Sequence, residues 1–173
     1  MENVIIQTLS RILSLIQPKL TKAQAEVIMA VVFYGIPRGY RLSNLKWLVG
    51  QSWLESAYMK DEKALTYNNP FGMSRVHVRP TNQLGYVELS DGNTFGTYEN
   101  ISAAVRDRYE WDKYFDVSQS TYPKDVSKKY HGSAEYENSV SAVSVEAVGV
   151  AILVLFSLIP FSYWIMSLIK STL

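Results

Sequence analysis

The chemistry this sequence can hold is carboxylate chemistry. It has no cysteine, which excludes disulfides, thiolate zinc sites and cysteine nucleophiles. Its two histidines, His77 and His131, are too few and too far apart along the chain to suggest a metal site. It contains no glycine-rich phosphate loop and no serine nucleophile elbow. No cofactor is expected. Glu55 is the leading candidate. Leu48, Ser52 and Glu55 share one face of a helix at i, i+4 and i+7. Leu48 turns that face inward and sets Glu55 on the rim of the core. Trp53, Tyr58 and Tyr67 are close in sequence and can desolvate it. Desolvation raises a carboxyl pKa, as a general acid working near neutral pH requires. On position alone, the simpler reading is an ordinary solvated glutamate near a helix end.

The elements that would position Glu55 are mostly helical. Ile5, Leu9, Ile12 and Ile16 have helical spacing, and Pro18 stops the run. Glu2 and Arg11 exclude a signal peptide there. Thr21 and Gln24 have capping-box spacing before an apolar run to Tyr34, which Gly35 and Pro37 end. Ser43 or Asn44 is expected to cap the helix through LKWLVGQSWLES. The segment TYNNPFGM reads as a loop, with Asp61 and Glu62 in solvated loop before it. From Val76 to Tyr98, β-rich runs flank Asp91-Gly92-Asn93, a hairpin turn signal. Helical spacing returns from Asn100 to Phe115, then over Lys124 to Tyr130. Gly132 ends that piece and Ser133 can cap a last helix.

The 173 residues carry 17 Lys and Arg against 16 Asp and Glu, a net charge of +1. That balance gives no broad basic field and argues against nucleic acid as a partner. The length suits about one domain. The run from Ala147 to Ile169 holds no charge. As a helix it would reach ~34 Å, enough for a ~30 Å hydrocarbon core. Tyr163 and Trp164 lie toward its far end, as interfacial aromatics often do. The expected layout is therefore a domain over 1–146, a transmembrane helix over 147–169 and a short tail over 170–173. One continuous helix is expected from about Ala134 to the end of the span, with at most a kink at Pro160.

GQSWLES, then NNPFGM, then FGTYENISAAVRDR resembles the bacterial peptidoglycan N-acetylglucosaminidases, the flagellar-muramidase-like branch of the lysozyme superfamily. The resemblance runs from about Lys46 to Val140. It implies a mostly helical α+β, lysozyme-like domain with a small β-hairpin, here with one C-terminal transmembrane helix. It implies that Glu55, followed by Ser56, is the catalytic acid. It places Asn69, Phe71 and Gly72 in the substrate loop, substrate-binding Tyr98 at the close of the hairpin and Tyr136, as a further catalytic residue, on a later cleft helix. It puts a second acid in the hairpin, where Glu88 fits best and Asp91 is the alternative. The sequence departs from the family at Ala57-Tyr58-Met59, at Pro70 and at Met73-Ser74. No Gly-Leu-Met-Gln-type segment follows Glu55, which favours a water-using glycosidase over a lytic transglycosylase.

The function these features imply is cleavage of β-1,4 bonds in cell-wall glycan by a membrane-anchored hydrolase. Its expected partners are peptidoglycan, a lipid membrane through residues 147–169, and other virion proteins. Its expected location is the virion inner membrane of a membrane-containing bacteriophage, or a bacterial cell membrane. The alternative is a catalytically inactive lysozyme-fold virion membrane protein that is structural or binds glycan.

Overall fold

A computed structural model describes residues 2–133 and 135–144. Helix α1, Glu2–Ile16, buries Ile6, Leu9 and Leu13. Ile5 and Ile12 only flank that stripe, so the buried face is turned about one residue from the one the spacing predicts. Helix α2, Lys22–Gly35, begins with the expected reciprocal box. The Thr21 hydroxyl accepts from the Gln24 amide at 3.2 Å, and the Gln24 side chain accepts from the Thr21 amide at 2.9 Å. It is buried on most sides, packing against α1 and two later helices. A short 3-10 turn, Ile36–Arg38, follows, and Gly39 at φ 76° closes it.

Helix α3, Leu42–Glu55, has Arg41 as its N-cap, two or three residues before the expected Ser43 or Asn44. Asn44 lies inside the helix instead. Its side-chain amide donates to the Gln119 carbonyl at 2.9 Å and tethers a later loop. Helix α4, Glu62–Thr66, occupies what the sequence suggested was solvated loop. Asp61 caps it by accepting from the Ala64 amide at 2.9 Å.

Strands β1, Gly85–Glu88, and β2, Thr94–Thr97, pair antiparallel, with Glu88 opposite Thr94. Between them Asp91 accepts from the Asn93 amide at 3.0 Å, and Gly92 sits at φ 80°. That is the role expected of a turn aspartate. The stretch from Val76 to Leu84 stays irregular rather than extending the sheet.

Helix α5, Ile101–Tyr114, is capped by Asn100, whose side-chain Oδ1 accepts from the Ala103 amide at 2.9 Å. Helix α6, Tyr122–Val126, runs into a wide helical turn over Ser127–His131 that Gly132 ends at φ 81°. Helix α7 covers residues 135–144, and the Ser133 hydroxyl accepts from the Tyr136 amide at 3.3 Å. A side chain at Gly35 would overlap Leu45 and Tyr109, so this glycine lets α2 lie close to α3 and α5.

The expected fold class needs a correction. The described fold is helical with one two-stranded sheet, and the added C-terminal transmembrane helix is not seen. Among the described residues no helix is long and apolar enough to cross a membrane. Helix α1 has 15 residues, short of the ~20 needed for a span. The run at 147–169 and the tail at 170–173 lie outside the described residues, as does the expected continuous stalk beyond residue 144. The expected location, a single-pass anchor in a virion inner membrane or bacterial cell membrane, is corrected on the same finding.

Candidate functional site

Glu55 is the last residue of α3 and is half-buried. The helix stops there because the chain turns left-handed at once. Ala57, Tyr58 and Met59 stand at φ 48°, 60° and 59°. Buried Ser56 holds the turn. Its hydroxyl donates to the Ser52 carbonyl at 2.6 Å and accepts from the Met59 amide at 2.9 Å. Gln24 holds it from α2, donating to the Tyr58 carbonyl at 3.1 Å. Three consecutive non-glycine residues in this region are strained, at roughly 1–2 kcal/mol each. We therefore expect Ala57→Gly, at an exposed position, to stabilise the protein by about 0.5–1 kcal/mol. Thermal melting should rise by ~1–4 °C for a chain of this size. An unchanged or lowered melting temperature would contradict the strain assigned to this turn.

A hydrogen-bonded chain leads from Glu55 into the core. The Tyr136 hydroxyl donates to Glu55 Oε1. Gln51 Nε2 donates to the Tyr136 oxygen at 3.1 Å, and Arg108 Nε donates to Gln51 Oε1 at 3.1 Å. Arg108 pairs with Asp112 one turn along α5. Asp112 also accepts from Tyr122 at 2.5 Å and from Tyr40 at 2.8 Å. Gln51 and Glu55 face the same way because they are one helical turn apart on α3. The expected face had used Ser52, whose hydroxyl instead donates to the Val49 carbonyl of its own helix.

Burial raises the Glu55 carboxyl above its ordinary range, and the Tyr136 hydrogen bond and the charges of His131 and Arg108 only partly oppose it. The His131 ring lies parallel to the Tyr136 ring at 4.6 Å. Removing the hydroxyl in Tyr136→Phe takes away the strongest opposing influence. The Glu55 carboxyl should then titrate at higher pH than in the wild type. Carbon-13 NMR titration of the carboxyl carbon reads this directly. A shift to lower pH would mean that Tyr136 does not stabilise the charged form.

The free oxygen, Oε2, faces Gly72. A Cβ placed there would stand 3.4 Å from it, and φ of 65° disfavours any side chain. Gly72 also begins a groove of about 360 Å³ that runs along residues 72–79 and is walled by Trp111, Phe115 and Tyr130. Glu55 does not itself line the groove. It joins the groove through Gly72 and Tyr130, whose ring stacks on Tyr136 at 6.3 Å.

The structure brings Glu55, Gly72 and Tyr136 together. It sends three other expected substrate contacts inward, and those are corrections. Phe71 is 0% exposed, so its ring packs in the core and its carbonyl accepts from Tyr130. Asn69 is buried too, and its side chain staples the loop to the Met73 and Gly96 carbonyls at 2.8 and 2.9 Å. Tyr98 is buried, and its hydroxyl donates to Asp107 at 2.8 Å. Glu88 is exposed on β1 and is not among the groups that act on Glu55. The rings expected to desolvate Glu55 pair elsewhere, Trp53 with Tyr58 and Tyr67 with Phe95. Gln51, Arg108, Tyr130 and His131 were missed. Gln51 could have been found from its i−4 spacing to Glu55; the others carry no local signal.

No family model matches this sequence, and no curated protein matches it either. Among solved structures the fold is similar to a chain in a type VI secretion system effector-immunity complex from Pseudomonas protegens. The TM-score is 0.51 at 13% identity, over 73% of this chain and 94% of that one. At this identity the likeness is one of fold alone.

Proposed function

We infer that this domain is a glycosidase that cleaves β-1,4 bonds of bacterial peptidoglycan. The observation that carries the reading is Glu55 itself. Its carboxyl is half-buried at a helix end, its pKa is raised by burial, one oxygen is held by Tyr136, and the other opens toward the aromatic groove at Gly72. A carboxyl that keeps its proton toward neutral pH can protonate the leaving oxygen of a glycosidic bond. Tyr136 fixes the carboxyl, so the proton-donating oxygen is Oε2. The wall of Trp111, Phe115 and Tyr130 offers faces on which sugar rings stack. Of the carboxylates weighed for the second role, Asp91 is committed to its turn, and the exposed hairpin Glu88 keeps the candidacy.

Digestion of purified walls, followed by mass spectrometry of the released fragments, tests this. Glycan fragments with one new reducing-end sugar are expected, and the identity of that sugar names the bond. Fragments cut only at peptide bonds, or binding without any release, would overturn the assignment.

A further inference from the structure

The groove beside Glu55 is basic on a chain that is not. Across the whole sequence 17 Lys and Arg nearly balance 16 Asp and Glu. Along the groove stand Arg75, His77, Arg79 and Lys129, with no Asp or Glu among its lining residues. Arg79 is neutralised, because its guanidinium makes two hydrogen bonds to buried Asp107 at 2.9 and 3.0 Å. The described ion pairs are this one and Arg108 with Asp112, so Arg75 and Lys129 have no carboxylate partner among the described residues. Both are nevertheless held in place. Arg75 lies 4.1 Å over the Tyr86 ring of β1, and its amide donates to Thr94 at 3.1 Å. The Lys129 ammonium donates to the Phe115 and Asp116 carbonyls. An ammonium has three donors, so one is left over on a residue that lines the groove.

The aromatic wall runs continuously between these charges and Glu55. Phe115 meets Trp111 at 4.7 Å, Trp111 meets Tyr130 at 5.2 Å, and Tyr130 stacks on Tyr136. A chain of sugar rings along that wall would carry its substituents past Arg75 and Lys129.

We propose that the groove selects glycan strands bearing carboxylates, with Arg75 and Lys129 as the residues that recognise the acidic substituents. This rests on the glycosidase reading and deepens it. The same groove would discriminate against a neutral polymer of the same sugar backbone, because two fixed cations are left without anionic partners when it binds.

The test compares three probes on the full chain: soluble wall glycan strands, the same strands with carboxyls converted to amides, and a neutral chitin oligosaccharide. Binding is read by calorimetry and cleavage by new reducing ends. Amidation should weaken binding by about tenfold or more, the size expected for losing a charge-assisted hydrogen bond. Chitin should bind as weakly as the amidated strands. Added salt should weaken only the binding of native strands. The Arg75→Gln/Lys129→Gln double variant should bind native and amidated strands alike. Equal wild-type binding of native and amidated strands would overturn the proposal, and this comparison needs no variant to fold. A double variant that melts like the wild type yet keeps the preference would also overturn it. The glycosidase reading fails separately, if none of the probes gains reducing ends whatever its binding.

Discussion

Glu55→Gln should remove the proposed glycan cleavage, with an expected loss of at least ~10²–10⁴-fold, the usual contribution of general acid catalysis. The amide keeps the shape of the side chain and can still accept from Tyr136, so the hydrogen-bonded chain behind it stays intact. What it cannot do is release a proton to a leaving oxygen. Binding of wall glycan should therefore survive while turnover is lost, which separates this residue from a mere packing contact. Stability should move in a direction that the raised carboxyl dictates. The folded state holds the Glu55 proton to higher pH than the unfolded chain does. Folding therefore loses stability as pH rises through the folded pKa. The variant has no such proton, so its melting temperature should gain on the wild type across that interval. Near-wild-type lysis by the variant would take the catalytic role away from Glu55, and an equal gap in melting temperature at all pH values would remove the raised carboxyl.

Much of the frame around this residue is local and therefore legible. The Thr21–Gln24 box, the Asn100 cap, the Asp91 turn and the Ser133 cap all form within three residues of chain. Short-range hydrogen bonds of this kind follow from residue type and spacing. The end of α3 near Glu55 was read from the helical run through LKWLVGQSWLES, but its cause was not. Ala57 to Met59 carry no glycine, and only the surrounding bonds from Ser56 and Gln24 show why the chain turns left-handed there.

The polar interior was not legible from spacing. Only the resemblance put Tyr136 at the cleft, 81 residues from Glu55, and Arg108 lies 57 from Gln51. Hydropathy patterning also reads an arginine as surface, whereas Arg108 is fully buried. Phe71, Asn69 and Tyr98 failed for a different reason. Aromatic and amide side chains serve a sugar site and a packed loop equally well, and sequence order cannot separate the two. The burial of Asn69 and Phe71 leaves Gly72 as the residue of that loop that faces Glu55. The membrane span rested on an uncharged run of sufficient length with aromatics toward its far end, and no described helix supports it.

Asp112→Ala should be the most destabilising of the substitutions around the site. Asp112 and Arg108 are 2% and 0% exposed, and the carboxylate gathers three partners. Arg108, Tyr122 and Tyr40 all donate to it. Removing it leaves a buried guanidinium without a counter-charge and two hydroxyls without their acceptor. Breaking a buried pair in this way costs about 3–5 kcal/mol, or a fall of ~6–20 °C in melting temperature at this chain length. The Arg108 guanidinium has little else to turn to. Its Nη2 has no hydrogen-bond partner among the described residues, and its carbon lies 4.6 Å from the Trp111 ring and 5.3 Å from the Tyr130 ring. Removing both charges at once, as in Arg108→Met/Asp112→Leu, should recover most of the loss, because apolar side chains need no partners. The double variant should still be impaired in cleavage, since Arg108 holds Gln51 and Gln51 holds Tyr136 against Glu55. A thermodynamic cycle over the four proteins separates the two effects. An Asp112→Ala variant that loses less than ~1 kcal/mol would show that the pair adds no net stability. A double variant with full cleavage would show that Glu55 is positioned without the chain behind it.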